Sequence, residues 1–154
     1  MIVYILYICI VLFLTYLGYF LSGKYRSAKK FYVAWEKFHQ CFLAEAGYTR
    51  RPLGAVLDQF KSEGVFGAFL SEYEKKHAWE GKIDFLGKED NDFLREYFSF
   101  LGKSDYAAQK KYFDSVTGKL AGRREQSDKD AARYTDLYVK LGFLLGLIVV
   151  ILLV

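Results

Sequence analysis

Proline is nearly missing from this 154-residue chain: Pro52 is the one instance. Histidine and cysteine are almost as scarce, with His39, His77, Cys9 and Cys41 scattered singly. Without a Cys/His cluster there is no readable structural zinc site. There is no GxxxxGK[ST] stretch, so a P-loop nucleotide site is excluded. No segment alternates apolar and polar residues with β-branched enrichment, which argues against a sheet. Low-complexity tracts and internal repeats are absent as well.

The most telling absence is charge. All 22 Lys and Arg and all 18 Asp and Glu lie between Lys24 and Lys140. Met1–Gly23 and Leu141–Val154 carry none. Two apolar ends bracket a charged middle, the pattern of a polypeptide held to a membrane at both termini.

Ile2–Leu21, IVYILYICIVLFLTYLGYFL, would rise about 30 Å as a helix, the hydrocarbon thickness of a bilayer. A cleaved signal peptide would need a basic stretch before the apolar run and a small-residue cleavage site. Nothing basic precedes Ile2, and Leu21-Ser22-Gly23 does not suit cleavage. The second apolar run, LGFLLGLIVVILLV, is shorter. With Leu137, Tyr138 and Val139 added it reaches about 27 Å, provided Lys140 extends to the interface. A buried core helix is the alternative, but this run has no polar face and the chain is small. The expected division is therefore 1–22 and 137–154 as transmembrane helices around a domain at 23–136.

Orientation follows from the cations. Lys24, Arg26, Lys29, Lys30 and Lys37 follow the first segment, and Arg123, Arg124, Lys129, Arg133 and Lys140 precede the second. The positive-inside rule puts the domain in the cytoplasm and both termini outside. A net charge of +4 raises nucleic acid as a partner. Basic residues beside both spans answer more simply to anionic lipid, so no nucleic acid is expected. Cys9 falls in a span and Cys41 in the domain, which excludes an intrachain disulfide and fits a reducing compartment.

The domain reads as helical. Tyr25, Ala28, Tyr32, Trp35, His39, Phe42 and Ala46 recur at three- and four-residue spacing and define one face. Gly47 and Pro52 punctuate its end. Leu53, Val56, Leu57 and Phe60 predict a short second helix, with Pro52 suited to its start. Phe66, Phe69, Leu70 and Tyr73 predict a third, running from Gly64 to near Gly81. Phe93, Leu94, Tyr97, Phe98 and Leu101 predict a fourth, capped by Asp90 or Asn91. Ser104 or Asp105 caps the next, which carries Tyr106, Tyr112, Phe113, Val116 and Leu120. Gly118 and Gly122 weaken that helix, so 104–140 is read as either one helix or two. The expected fold is all-α, an antiparallel five- to six-helix bundle flanked by N- and C-terminal transmembrane helices.

Little chemistry is visible. His39 lies on an apolar face and reads as a packed aromatic. Glu89, Asp90 and Asp92 form an acidic cluster that would suit a cation, but carboxylates at a helix N-terminus have an ordinary electrostatic reason to be there. No catalytic residue, cofactor or metal site is expected. One motif has a mechanical meaning. Gly142 and Gly146 form a GxxxG, and Gly18 and Ser22 a similar small-xxx-small pair, each letting another helix backbone approach closely within the membrane. Chance occurrence in an apolar helix is the alternative.

These residues also carry a family resemblance. Leu101, Gly102, Ser104, Asp105 and Gln109 match the LG-x-SD-x-x-x-Q signature of stage III sporulation protein AB of endospore-forming bacteria. Leu141, Gly142, Leu144, Gly146 and Leu147 match its LG-x-L-x-G-L run into an apolar terminus. The family's E-I-x-Y-G-x-T-P-L loop is partly matched by Glu45, Tyr48, Pro52 and Leu53. Departures are Ala46 for isoleucine, Thr49 for glycine, Arg51 for threonine, and Phe98-Ser99 where Phe-Gly is usual. Gly64–Gly87 shows little likeness.

The resemblance implies a subunit of the membrane channel complex joining mother cell to forespore. Its domain looks like the cytoplasmic domain of F-type platform proteins in type II secretion and pilus machines. By that analogy the chain is a non-enzymatic platform in the mother-cell membrane. Its implied partners are the cytoplasmic ATPase of the same operon, other sporulation channel proteins and the lipid bilayer. Exposed charges near bundle turns are the expected docking residues: Glu45, Arg50 and Arg51 around Pro52, and Lys103 and Asp105 around Gly102. Two alternatives are a platform of another secretion or pilus system and a membrane-tethered enzyme. The first usually carries two such domains, and the second needs an acid, base or metal constellation.

Overall fold

The computed structural model describes residues 2–48, 52–76, 81–101 and 106–153. Among them are six α-helices and no strand. They are α1 (Ile2–Leu21), α2 (Gly23–Tyr48), α3 (Leu53–Phe60), α4 (Gly64–Lys76), α5 (Lys88–Phe100) and α6 (Tyr106–Leu153). The all-α bundle expected from periodicity is the fold observed.

Two long helical runs form its frame. α1 and α2 are separated only by Ser22, whose turn is held by Ser22 N–H to Gly18 O (3.2 Å) and Tyr25 N–H to Ser22 O (3.1 Å). α6 has 48 residues, about 72 Å of helix, and runs antiparallel to both. Phe42 meets Phe113, Tyr25 stacks on Tyr134, and Tyr7 reaches Leu153. α6 is therefore one helix, with no break at Gly118 or Gly122. The face bearing Phe113, Val116 and Leu120 is buried against the bundle, and tertiary burial outweighs the weak intrinsic cost of two exposed glycines.

The core lies between the charged half of this frame and α3–α5. Trp35, Phe38, Leu70, Leu94, Tyr97, Phe113 and Leu120 have no exposed surface. Phe98 is its hub, with ring centroids 4.7 Å from Phe69, 5.0 Å from Tyr97 and 5.1 Å from Tyr73. The pairs with Phe69 and Tyr73 are edge-to-face, a geometry that adds to area burial. The short α3–α4 connection uses Gly64 at φ 53°, in the left-handed region. Gly67 then lets α4 start directly against the Phe60 and Lys61 carbonyls that end α3.

One capping expectation is corrected. Neither Asp90 nor Asn91 caps α5; Gly87 holds that position. Asn91 lies inside the first turns and is buried. Its Oδ1 accepts from Ile83 N–H (2.8 Å), and its Nδ2 donates to Ile83 O, Leu86 O and Gly87 O (2.9–3.2 Å). It thus satisfies the backbone of the preceding loop, which would otherwise hold buried unpaired groups.

Candidate functional site: the paired apolar helices and the bundle above them

α1 and the last third of α6 differ from the bundle in what they expose. In α1 only Gly18 is buried. Ile2, Leu12, Phe13, Ile151 and Leu152 are between 63% and 84% exposed. Soluble monomers rarely leave a contiguous apolar surface of this extent. Both helical runs are long and apolar enough to cross a membrane.

The two helices touch along a seam of small residues. A side chain at Gly18 would collide with the Tyr138 carbonyl. At Gly142 it would meet the Leu14 carbonyl and, at 3.1 Å, Thr15 Cα. At Gly146 it would lie 2.9 Å from Val11 Cα. Successive contacts descend α1 as they ascend α6, so the pair is antiparallel. Ser22 is fully buried at the upper end, its Oγ donating to Tyr19 O at 2.7 Å. Sequence reasoning gave Gly18, Ser22, Gly142 and Gly146 as close-packing positions without their partner. The structure brings the three glycines onto one intramolecular seam.

Above the seam sits a belt of aromatic rings and cations. Tyr25 stacks on Tyr134 with centroids 4.2 Å apart. The Arg26 guanidinium lies over Tyr19 at 3.5 Å, and its Nη2 donates to Tyr19 O at 2.9 Å. Lys24 lies over Tyr25 at 4.8 Å. Tyrosine rings with nearby cations suit a bilayer interface.

Higher up, ion pairs tie α6 to the bundle. Arg124 lies 3.2 Å from Asp128 and 3.7 Å from Glu36, and Lys29 lies 3.5 Å from Asp128. Arg123 pairs with Asp90 and stands 3.6 Å from Glu89. The acidic cluster at the start of α5 is therefore answered by Arg123 and, at Asp92, by Arg95 (3.0 Å). Arg123 and Arg124 lie about 20 Å along α6 from Tyr138, too far to belong to the interfacial belt. Their role was missed in the sequence because nothing in local spacing marks a contact 33 residues away. Among the described residues no group of three or more His, Cys, Asp and Glu could hold a metal ion.

His39 is buried at the centre of the bundle. Its Nδ1 is 3.0 Å from Tyr97 Oη and its Nε2 2.8 Å from Thr117 Oγ1. Burial pushes its pKa from 6.5 down to about 4, with Asp114 pulling weakly the other way. It is a satisfied core residue, as the apolar face suggested.

Of the expected docking residues, Glu45 is half-buried near the end of α2. Arg50, Arg51, Lys103 and Asp105 lie outside the described residues. The helix ends that flank both turns, at Glu45 and Tyr106, stand at the end of the bundle remote from α1, because α2 and α6 are antiparallel.

Fold and seam together define a class: an all-α bundle on an antiparallel pair of helices long and apolar enough to span a membrane. The family model of stage III sporulation protein AB matches residues 4–154, a range that includes Gly64–Gly87, where no signature residue is recognisable. The chain belongs to the stage III sporulation protein AB family, and its role is one related to sporulation. No curated protein and no solved structure matches it.

Proposed function

We propose that this chain is a non-enzymatic platform subunit of the sporulation channel complex between mother cell and forespore. In this reading α1 and the end of α6 cross the mother-cell membrane, with the termini outside. The bundle lies in the cytoplasm and docks the ATPase of the same operon. The observation that carries the reading is the division of one continuous frame. The same two helical runs are sheathed in exposed apolar side chains at one end and hold a charged bundle at the other. Family membership supplies the sporulation context. α6 has no break between bundle and span, so the bundle stands on the membrane as a rigid post rather than on a flexible tether. The described helix ends that flank the two expected docking turns, near Glu45 and Tyr106, lie at the end of the bundle remote from α1, which supports this reading.

The test is capture of the ATPase. The full chain, solubilised in detergent, should retain the ATPase in a pull-down, and Arg50→Glu with Arg51→Glu should weaken that capture. Thermal stability should change by less than about 0.5 kcal/mol, the usual range for substitutions that disturb no core contact, cap or buried ion pair. Unaltered capture would remove the Pro52 turn as the docking face. If the wild-type chain never retains the ATPase, the platform reading fails.

A further inference from the structure

Two grooves meet where the charged bundle passes into the apolar pair. The upper one, about 620 Å³, has Arg26, Lys29 and Lys30 of α2 facing Thr135, Asp136 and Val139 of α6. The lower one, about 440 Å³, is lined by Thr15, Val139, Lys140, Phe143 and Leu144. Val139 belongs to both, so a cationic pocket opens directly onto an apolar trough.

Charge in the upper groove is unbalanced. Three cations face one carboxylate, and Asp136 is already held by Lys140 at 2.7 Å. Lys29 is shared with Asp128 at 3.5 Å. Lys30 is exposed, with no ion-pair partner among the described residues. Arg26 is fixed in place by the Tyr19 ring and carbonyl, contacts that use one of its five N–H donors. Both anchors belong to the last turn of α1, so Arg26 stands at the level where the apolar surface begins.

We propose that these joined grooves bind one anionic phospholipid. Its phosphate sits between Arg26 and Lys30 beside the Thr135 hydroxyl, and an acyl chain lies along Val139, Phe143 and Leu144. The pocket volumes fall in the range of small-ligand sites. A zwitterionic choline headgroup would bring an ammonium against Arg26 and Lys30, so the groove selects for net negative charge. The proposal rests on the reading that the apolar pair lies in a bilayer.

The experiment uses the full chain purified in neutral detergent. Melting temperature is followed on addition of phosphatidylglycerol, phosphatidylcholine or glycerol phosphate. Phosphatidylglycerol alone should raise it. Arg26→Gln with Lys30→Gln should weaken the apparent affinity about tenfold or more, each cation being worth roughly a factor of five near a membrane surface. Lys24→Gln with Arg133→Gln removes the same charge beside the groove and should leave the affinity nearly unchanged. Ala132→Trp fills the upper groove without altering charge and should also abolish the effect, which decides the matter if the Arg26 variant does not fold. Equal shifts with both lipids, a shift with glycerol phosphate alone, or equal losses in the two double variants would overturn the site. A chain that stays soluble without detergent would instead refute the membrane reading beneath it.

Discussion

His39 joins three helices through its two ring nitrogens. Thr117 Oγ1 donates to Phe113 O at 3.0 Å, so it accepts from Nε2–H, and Nδ1 accepts from the Tyr97 hydroxyl. The neutral ring satisfies this arrangement, and a second proton would disrupt it. The folded pKa is about 4 against an ordinary 6.5. Between those values the unfolded chain takes up a proton that the folded chain refuses. The contribution is complete above pH 6.5 and is lost as pH falls toward 4, by on the order of 3 kcal/mol. Thermal melts in neutral detergent should show this decline, and His39→Phe should flatten it while lowering stability at pH 7. An equally steep decline in His39→Phe would place the acid sensitivity elsewhere. The sequence marked His39 as a core position from its helical register alone. Its partners, 58 and 78 residues away, were not legible, because spacing along one helix says nothing of which distant helix lies opposite. Asn91 was misread for a related reason. Its side chain suits a cap, but the loop at Ile83–Gly87 needs its amide more.

At the scale of helices, apolar spacing anticipated α2 to α5 well, since each buries a face whose period survives in the sequence. Continuity of α6 was not legible. Gly118 and Gly122 argue locally for a break, and the face that overrides them is recognised only once the opposing helices are in place. The GxxxG of α6 was legible as a close-packing element, whereas its partner was not: α1 of the same chain occupies it. That assignment makes a prediction about the chain in isolation. Gly142→Leu or Gly146→Leu should separate α1 from α6 and destabilise the chain by on the order of 1 kcal/mol or more, read as a lower melting temperature in detergent. Ile148→Leu, exposed on the same helix, should be silent. A double Gly142→Leu/Gly146→Leu chain with wild-type stability would show that the seam does not hold the two helices together.

Over the whole molecule, charge and apolar surface are sorted along one axis. Every cation and carboxylate lies between Lys24 and Lys140, and the heavily exposed apolar residues concentrate in α1 and the end of α6. This sorting was the part most legible in the sequence, because it depends on composition rather than on contacts. The antiparallel course of the two runs adds that both apolar segments emerge from the same end of the bundle. A bilayer can cover both only if the bundle stands wholly on one side, and in the proposed topology, which follows the positive-inside rule, that side is the cytoplasm. The most direct measurement is cysteine accessibility in intact cells, in a Cys9→Ser/Cys41→Ser background. A cysteine appended after Val154 should react with a membrane-impermeant reagent. One at the exposed position Ser62 should react only after permeabilisation. Labelling at Ser62 with protection after Val154 would contradict the account.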